Sequence, residues 1–166
     1  MTTTRFVIRG SKAALLLFFG LYAALVTLGN LLDPATNMAF VEHVLSMDTT
    51  FERENLMGRA ITAPWVYGLA FWAIVATEAV IAVLCLWGGW RLFRVRAGDA
   101  DAFHAAKAPG ILGLVLGLGL WFFGFQAVGG EWFSSWQSEA WNGLDAASRI
   151  TIFLLGALVF VSLRND

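Results

Sequence analysis

Cysteine is nearly absent from this chain: Cys85 stands alone among 166 residues, so no intramolecular disulfide can form, and the thiol reads as a small packing residue. Histidine is nearly as scarce. His43 and His104 fall in polar segments separated by a long apolar run, which removes a bis-histidine haem, since that needs two imidazoles at matching depth inside a helical bundle. Catalytic signatures are missing as well: the chain contains no H-E-x-x-H, no G-x-x-x-x-G-K-[ST], no G-x-S-x-G and no C-x-x-C. Charged residues make up 14% of the chain and the formal net charge is −1, so nucleic acid is not an expected partner. With no catalytic constellation to argue from, a non-enzymatic protein is expected.

What the chain has in abundance is apolar surface. Hydrophobic residues make up 58% of it and its mean hydropathy is +0.69, well outside the balance of a soluble domain. Four apolar segments, residues 13–32, 64–90, 109–128 and 146–163, each approach the roughly 20 residues that a helix needs to cross a bilayer. The expected fold is all-α: a polytopic membrane protein forming a single four-transmembrane-helix bundle over residues 1–166, with outer loops at 33–63 and 129–145. Arg5, Arg9 and Lys12 before the first apolar run have the look of a signal peptide. That run is longer than a typical signal core and residues 25–32 offer no small-residue cleavage site, so a retained first helix is expected.

Charge assigns the orientation. With both termini and the 91–107 loop on one side, that side collects Arg5, Arg9, Lys12, Arg91, Arg94, Arg96, Lys107 and Arg164 against Asp99, Asp101 and Asp166. The other side keeps Arg53, Arg59 and Arg149 but gathers Asp33, Glu42, Asp48, Glu52, Glu54, Glu131, Glu139 and Asp145. The positive-inside rule puts the basic side in the cytoplasm, so cytoplasmic N- and C-termini and outward-facing loops are expected. Trp65, Trp132, Trp136 and Trp141 cluster at the outer boundary and Trp87 and Trp90 at the inner one, as an interfacial belt requires. Arg91, Arg94 and Arg96 suit anionic lipid, though their role as topology determinants explains them.

The first outer loop has its own organisation. Asp33-Pro34 offers an N-cap followed by proline at the first helical position, and Phe40, Val44, Met47 and Phe51 then form one helical stripe with Val41 and Leu45 beside it. An amphipathic helix is expected there, lying on the outer membrane surface or capping the bundle. Asp48-Thr49-Thr50 ends it, Thr49 with Glu52 offers a capping box, and Pro64 opens the second span. In the second outer loop Gly129-Gly130 is expected to close the third helix, Trp132 and Trp136 to lie flat in the interface, and Asp145 to cap the last helix.

Glu78 is the one carboxylate placed deep in an apolar span. Burying it costs on the order of 3 kcal/mol even on a lenient insertion scale, so it should face protein. Gly113, Gly117 and Gly124 share a face of the third span, and Glu78, Ala82, Cys85 and Gly89 form a comparable ridge on the second. Tyr22 is the expected partner of Glu78, matching it in depth, with Thr27 and Gln126 as alternatives. One reading makes Glu78 a proton or cation carrier. The other makes it a neutral hydrogen-bonding residue that holds helices in register, and the lack of a second intramembrane carboxylate or a broken helix weighs for the latter.

Metal chemistry has a weaker basis. Met38, Met47 and Met57 share the outer loop with His43, a set of soft ligands that suits Cu(I), but methionines filling the apolar side of an interfacial helix are the better account of them. Glu42, His43 and Asp48 would make a hard-metal site on no better grounds. No metal and no cofactor is expected.

Taken together, the run from Asn37 to Phe51, Arg59-Ala-Ile-Thr62, Glu78, Gly129-Gly-Glu-Trp-Phe133, Trp136-Gln137 and Trp141-Asn142-Gly143 resembles the predicted small integral membrane proteins of bacteria classed as a domain of unknown function. The resemblance covers nearly the whole chain. It implies a four-helix protein of the bacterial inner (cytoplasmic) membrane and brings no activity or ligand with it. Its characteristic residues lie mostly on the outer side, which singles out Glu42, His43, Asp48, Glu131 and Trp132 as a candidate interaction or metal site. The leading expectation is an accessory or interaction subunit whose outward cap meets a membrane-protein partner or a second copy. The alternative is a small proton-linked transporter, or a lipid- or small-molecule-binding protein using Glu78.

Overall fold

Apolar runs opened by proline or an acidic cap fold into long helices. The computed structural model describes residues 3–51 and 54–164. Glu52 of the expected capping box, Arg53, Asp166 and the Glu54 side chain lie outside what it describes. The elements are α1 (Thr3–Leu32), α2 (Pro34–Ser46), α3 (Glu54–Met57), α4 (Pro64–Val95), α5 (Ala100–Ala105), α6 (Ala108–Leu118), a π-helical segment (Gly119–Trp132), a 3-10 turn (Ser135–Gln137) and α7 (Leu144–Ser162). Among the described residues there is no strand. Four helices are long and apolar enough to cross a membrane: Thr3–Leu32, Pro64–Val95, Ala100–Trp132 and Leu144–Ser162.

Two of these outrun the apolar segments that announce them. α1 already includes Arg5, Arg9 and Lys12, and α4 continues through Arg91 and Arg94. Hydropathy ends at the membrane boundary, whereas the hydrogen-bond ladder does not, and straight-chain Arg and Lys are good helix formers. The third helix differs more. Its outer part is bonded i→i+5, as in the Phe133 amide donating to the Val128 carbonyl at 3.0 Å, and it runs through Gly129-Gly130 to Trp132 instead of closing there. Gly119, Gly124 and Gly129 recur every fifth residue, in step with that bonding. Such bonding is usually confined to single turns inside α-helices.

The bundle is organised around α4, which packs on α1 along one side and on α6 along the other. Gly88 meets the backbone of Gly110, and Gly113 lies so close to α4 that a Cβ there would fall 2.6 Å from Cys85 Sγ. Gly117 faces Leu154 of α7. The glycine face therefore serves packing within the chain at Gly113 and Gly117. Gly124 is the exception: a Cβ there would meet only its own segment, 3.7 Å from the Gly119 carbonyl. Ala82 and Cys85 lie in the core with Leu16, Ala23, Ile81, Leu114 and Leu154, all buried.

At the end of the bundle that holds both termini, the inner end of the expected orientation, three basic side chains are folded into the structure. Arg9, Lys12 and Lys107 are at most 1% exposed. Lys12 and Lys107 both donate to the Leu163 carbonyl, at 2.6 and 2.8 Å, and Arg9 donates to the carbonyl of Gly98 at 2.7 Å. Positive charge thus sits where α7 and the chain after α4 present unsatisfied carbonyls, the favourable sign for a helix C-terminus. Asp99 caps α5 by accepting from the Ala102 amide at 2.8 Å, and Arg164 pairs with Asp101.

At the outer end α2 caps the bundle. Asp33 accepts from the Thr36 amide at 3.3 Å with Pro34 at the first helical position, as its sequence foretells, and Met47 ends the helix in the left-handed conformation at φ 56°. Val41 packs on Phe71 and Val75 of α4, and Phe40 stacks on Phe125. For α7 the cap is Gly143, with Asp145 in the first turn instead of at the cap, because the Asn142 side chain already accepts from the Leu144 amide.

Replacing Gly113 by leucine is expected to destabilise the bundle by about 1–3 kcal/mol through overpacking against Cys85 and Leu84. Gly10→Leu, where a Cβ meets nothing within 4 Å, is the control. Equilibrium unfolding in mixed micelles, followed by helical circular dichroism, reads the difference.

Candidate functional site

Glu78 is 2% exposed on the face of α4 that meets α1. Its Oε2 accepts a hydrogen bond from Asn30 Nδ2 at 2.7 Å. The expected partner is thereby corrected: Tyr22 is 42% exposed and packs its ring against Trp121, with centroids 5.9 Å apart. Its hydroxyl lies within electrostatic reach of Glu78 but makes no hydrogen bond to it among the described residues. The cause is register. α1 and α4 run antiparallel with Gly20 against Leu86 and Gly89 against Leu17, which carries Asn30 opposite Glu78. Depth matching by helix length assumes that the two helices end together. In fact the first turns of α4 extend past the outer end of α1, and α2 covers them instead.

The other two candidate partners are engaged elsewhere. Thr27 donates to the Ala23 carbonyl of its own helix at 2.8 Å. Gln126 bonds α7, donating to Thr151 Oγ1 at 2.9 Å and accepting from Ser148 Oγ at 3.2 Å. Asn30 is the residue that sequence reasoning missed. The signal was present, since it is the one side-chain amide in the 13–32 span.

Above Glu78 the two outer loops form one surface. The Phe51 amide donates to Gln137 Oε1 at 2.9 Å, Thr49 Oγ1 donates to Ser138 Oγ at 2.8 Å, and Ser138 Oγ also accepts from the Trp141 amide at 2.9 Å. Arg59 donates to the Trp132 carbonyl at 3.2 Å and lays its guanidinium over the same residue's ring, 4.7 Å from the centroid. His43 Nδ1 lies 2.7 Å from Asp48 Oδ2, and the imidazole stacks on Trp141 with centroids 4.5 Å apart.

The five outer residues singled out by sequence therefore do not form one cluster. His43 and Asp48 are joined to each other, Trp132 belongs to the contact with Arg59, and Glu42 and Glu131 are exposed and take part in neither. A His–Asp pair can orient a general base; of the hydroxyls beside it, Thr49 Oγ1 donates to Ser138 Oγ and Thr50 Oγ1 to the Met47 carbonyl. Among the described residues no three His, Cys, Asp or Glu side chains converge as metal ligands. Met47 is 1% exposed and Met38 packs against the Val41 cluster, so both thioethers act as filling.

Between cap and bundle lies an apolar cavity of about 190 Å³, walled by Phe40 and Val44 of α2, Ile74 of α4, and Gly124, Phe125 and Val128 of the π-helical segment. Gly124 leaves its wall open. An apolar cavity of about 150 Å³ is already large enough to take a benzene-sized molecule.

A family model of predicted small integral membrane proteins, DUF2165, matches residues 8–164. The chain belongs to this family. The matched stretch takes in three of the long helices whole and the first from residue 8 on, with the Asn30–Glu78 pair and both outer loops. No curated protein and no solved structure matches the chain. As a DUF2165 protein it is an integral membrane protein, and the family description assigns no activity.

A double-mutant cycle with Asn30→Ala and Glu78→Ala is expected to give a coupling energy of about 0.6–2 kcal/mol in a membrane-mimetic unfolding assay. Asn30→Ala should cost more than Glu78→Gln, which keeps an acceptor for the Asn30 amide. Additive effects within about 0.3 kcal/mol would show that the bond does not hold α1 to α4.

Proposed function

We propose that this chain is a non-enzymatic accessory or interaction subunit of the bacterial inner membrane, with both termini cytoplasmic and its fused cap turned outward to meet a membrane-protein partner. The observation that carries this reading is the bonding between the two outer loops, which holds the cap as one preformed surface. Trp132, Trp136 and Phe51 are exposed at 54%, 52% and 54%, with the exposed carboxylates Glu42, Glu131 and Glu139 on the same loops. Exposed aromatics on a rigid support are the usual anchors of an interface, and a preformed surface loses little conformational entropy on binding. The basic residues gathered at the opposite end support the orientation. The Asn30–Glu78 bond supports a structural role for the buried carboxylate over a transport pathway.

Topology is testable because Cys85 is fully buried and contributes no background labelling. Glu139→Cys in intact cells should react with a membrane-impermeant maleimide, and Asp99→Cys only after permeabilisation. The reverse pattern would overturn the orientation. A photo-crosslinking amino acid at Trp136 should capture one protein in stoichiometric amount, and one at the bilayer-facing Leu155 should not. Charge reversal at Glu131 and Glu139 should abolish the capture. Purification of the chain alone from native membranes, with no cap-dependent crosslink, would sink the subunit reading.

A further inference from the structure

α1 packs on α4, and α7 packs on α6 and the π-helical segment, so the first and last helices of the bundle meet only lightly. Between them lies a groove of about 600 Å³, open to the side and lined by Leu15, Phe18 and Tyr22 of α1 and Ile150, Phe153 and Gly156 of α7. Its lining is almost wholly apolar. Gly156 keeps it clear, since a Cβ there would meet nothing within 4 Å.

What covers this groove is indicated by the charges at its outer end. Asp145, Arg149, Phe153 and Gly156 follow one another at four-, four- and three-residue spacing, which places them along one stripe of α7. Arg149 lies next to the groove residue Ile150 and within electrostatic reach of the Tyr22 hydroxyl. Asp145 sits one helical turn further out, about 6 Å along the axis. Both are exposed, and among the described residues neither makes a hydrogen bond or an ion pair, not even with the other. An exposed arginine little more than a turn inside the end of a spanning helix reaches back to the headgroup level, where the anions are phosphates.

The order along α7 is apolar groove, cation, anion. A phosphoglyceride with an amine headgroup presents the complementary order: acyl chain, phosphodiester anion, ammonium. We propose that the α1–α7 groove is a binding site for phosphatidylethanolamine, taken from the leaflet that covers the Asp145 end of α7. One acyl chain lies along Phe18, Phe153 and Gly156, the phosphate accepts charge-assisted hydrogen bonds from Arg149, and the ammonium donates to Asp145. The site lies beside the outer cap, in the leaflet at that end, and does not depend on which side of the membrane the cap faces.

The test uses the full-length chain in nanodiscs containing equal amounts of phosphatidylethanolamine, phosphatidylglycerol and phosphatidylcholine, with native mass spectrometry of the lipids that stay bound on release. One phosphatidylethanolamine per chain is expected, in excess over phosphatidylglycerol, which lacks the ammonium. Arg149→Gln should lower its retention about tenfold, the effect of losing a hydrogen bond to a charged group. Asp145→Asn should abolish the advantage over phosphatidylglycerol. Gly156→Phe should reduce retention of all three lipids while circular dichroism stays unchanged, because the added ring fills open space. Equal or greater retention of phosphatidylglycerol by the unaltered chain, wild-type retention by Arg149→Gln or Gly156→Phe, or a lipid-free dimer would each overturn the proposal.

Discussion

The close approach of α4 to α1 on one side and to α6 on the other is the constraint on which the rest of this structure depends. Inside a bilayer there is no hydrophobic drive for helices to associate, because lipid tails are as apolar as leucine. Association has to come from packing, and packing at this range needs positions without side chains. Gly88 against Gly110 and Gly113 against Cys85 supply them for α6, and Gly20 and Gly89 supply them for α1. Once α4 is fixed between its neighbours, the position of every polar residue along it follows.

Polar contacts then act as register marks at the two ends. At the outer end, the antiparallel seating of α1 brings the Asn30 amide to Glu78. At the inner end, Lys12 of α1 and Lys107, just before α6, converge on the carbonyl of Leu163, and Arg9 reaches the chain beyond α4. A slip by one turn would break both sets at once and leave buried charge without its partner, which costs more than the bonds themselves contribute. Charges that the positive-inside rule reads as topology signals are, in the fold, the fastening of the end that holds both termini.

The end capped by α2 is built differently, since its loops lie beyond the apolar spans. There α2, the chain around Arg59 and the Ser134–Trp141 stretch share hydrogen bonds and aromatic stacking, with positive φ of 56° at Met47 and at Ser134 where the chain turns sharply. The π-helical segment supports them from below. Its glycines let other elements come near: Gly129 lies by Val44 of α2, and Gly130 lies under Leu144 at the start of α7. The cavity between cap and bundle lies along the same segment.

By itself the sequence determined the membrane class, the four spans, the capped α2 and the glycine face of α6, because each is written in local pattern: apolar runs of spanning length, an Asp-Pro helix start, small residues at helical spacing. The same local reading could mark Glu78 as buried without identifying its partner. Residue counts from the helix ends put Tyr22 at its depth and Asn30 near an end. The His43–Trp141 stack and the Arg59–Trp132 contact join residues far apart in the chain, and the i→i+5 bonding past Gly119 left only a five-residue glycine spacing as its trace. Those features were decided by the tertiary structure alone. Interhelical register and loop-to-loop contact depend on how far each helix extends past its neighbour, and no single segment contains that quantity.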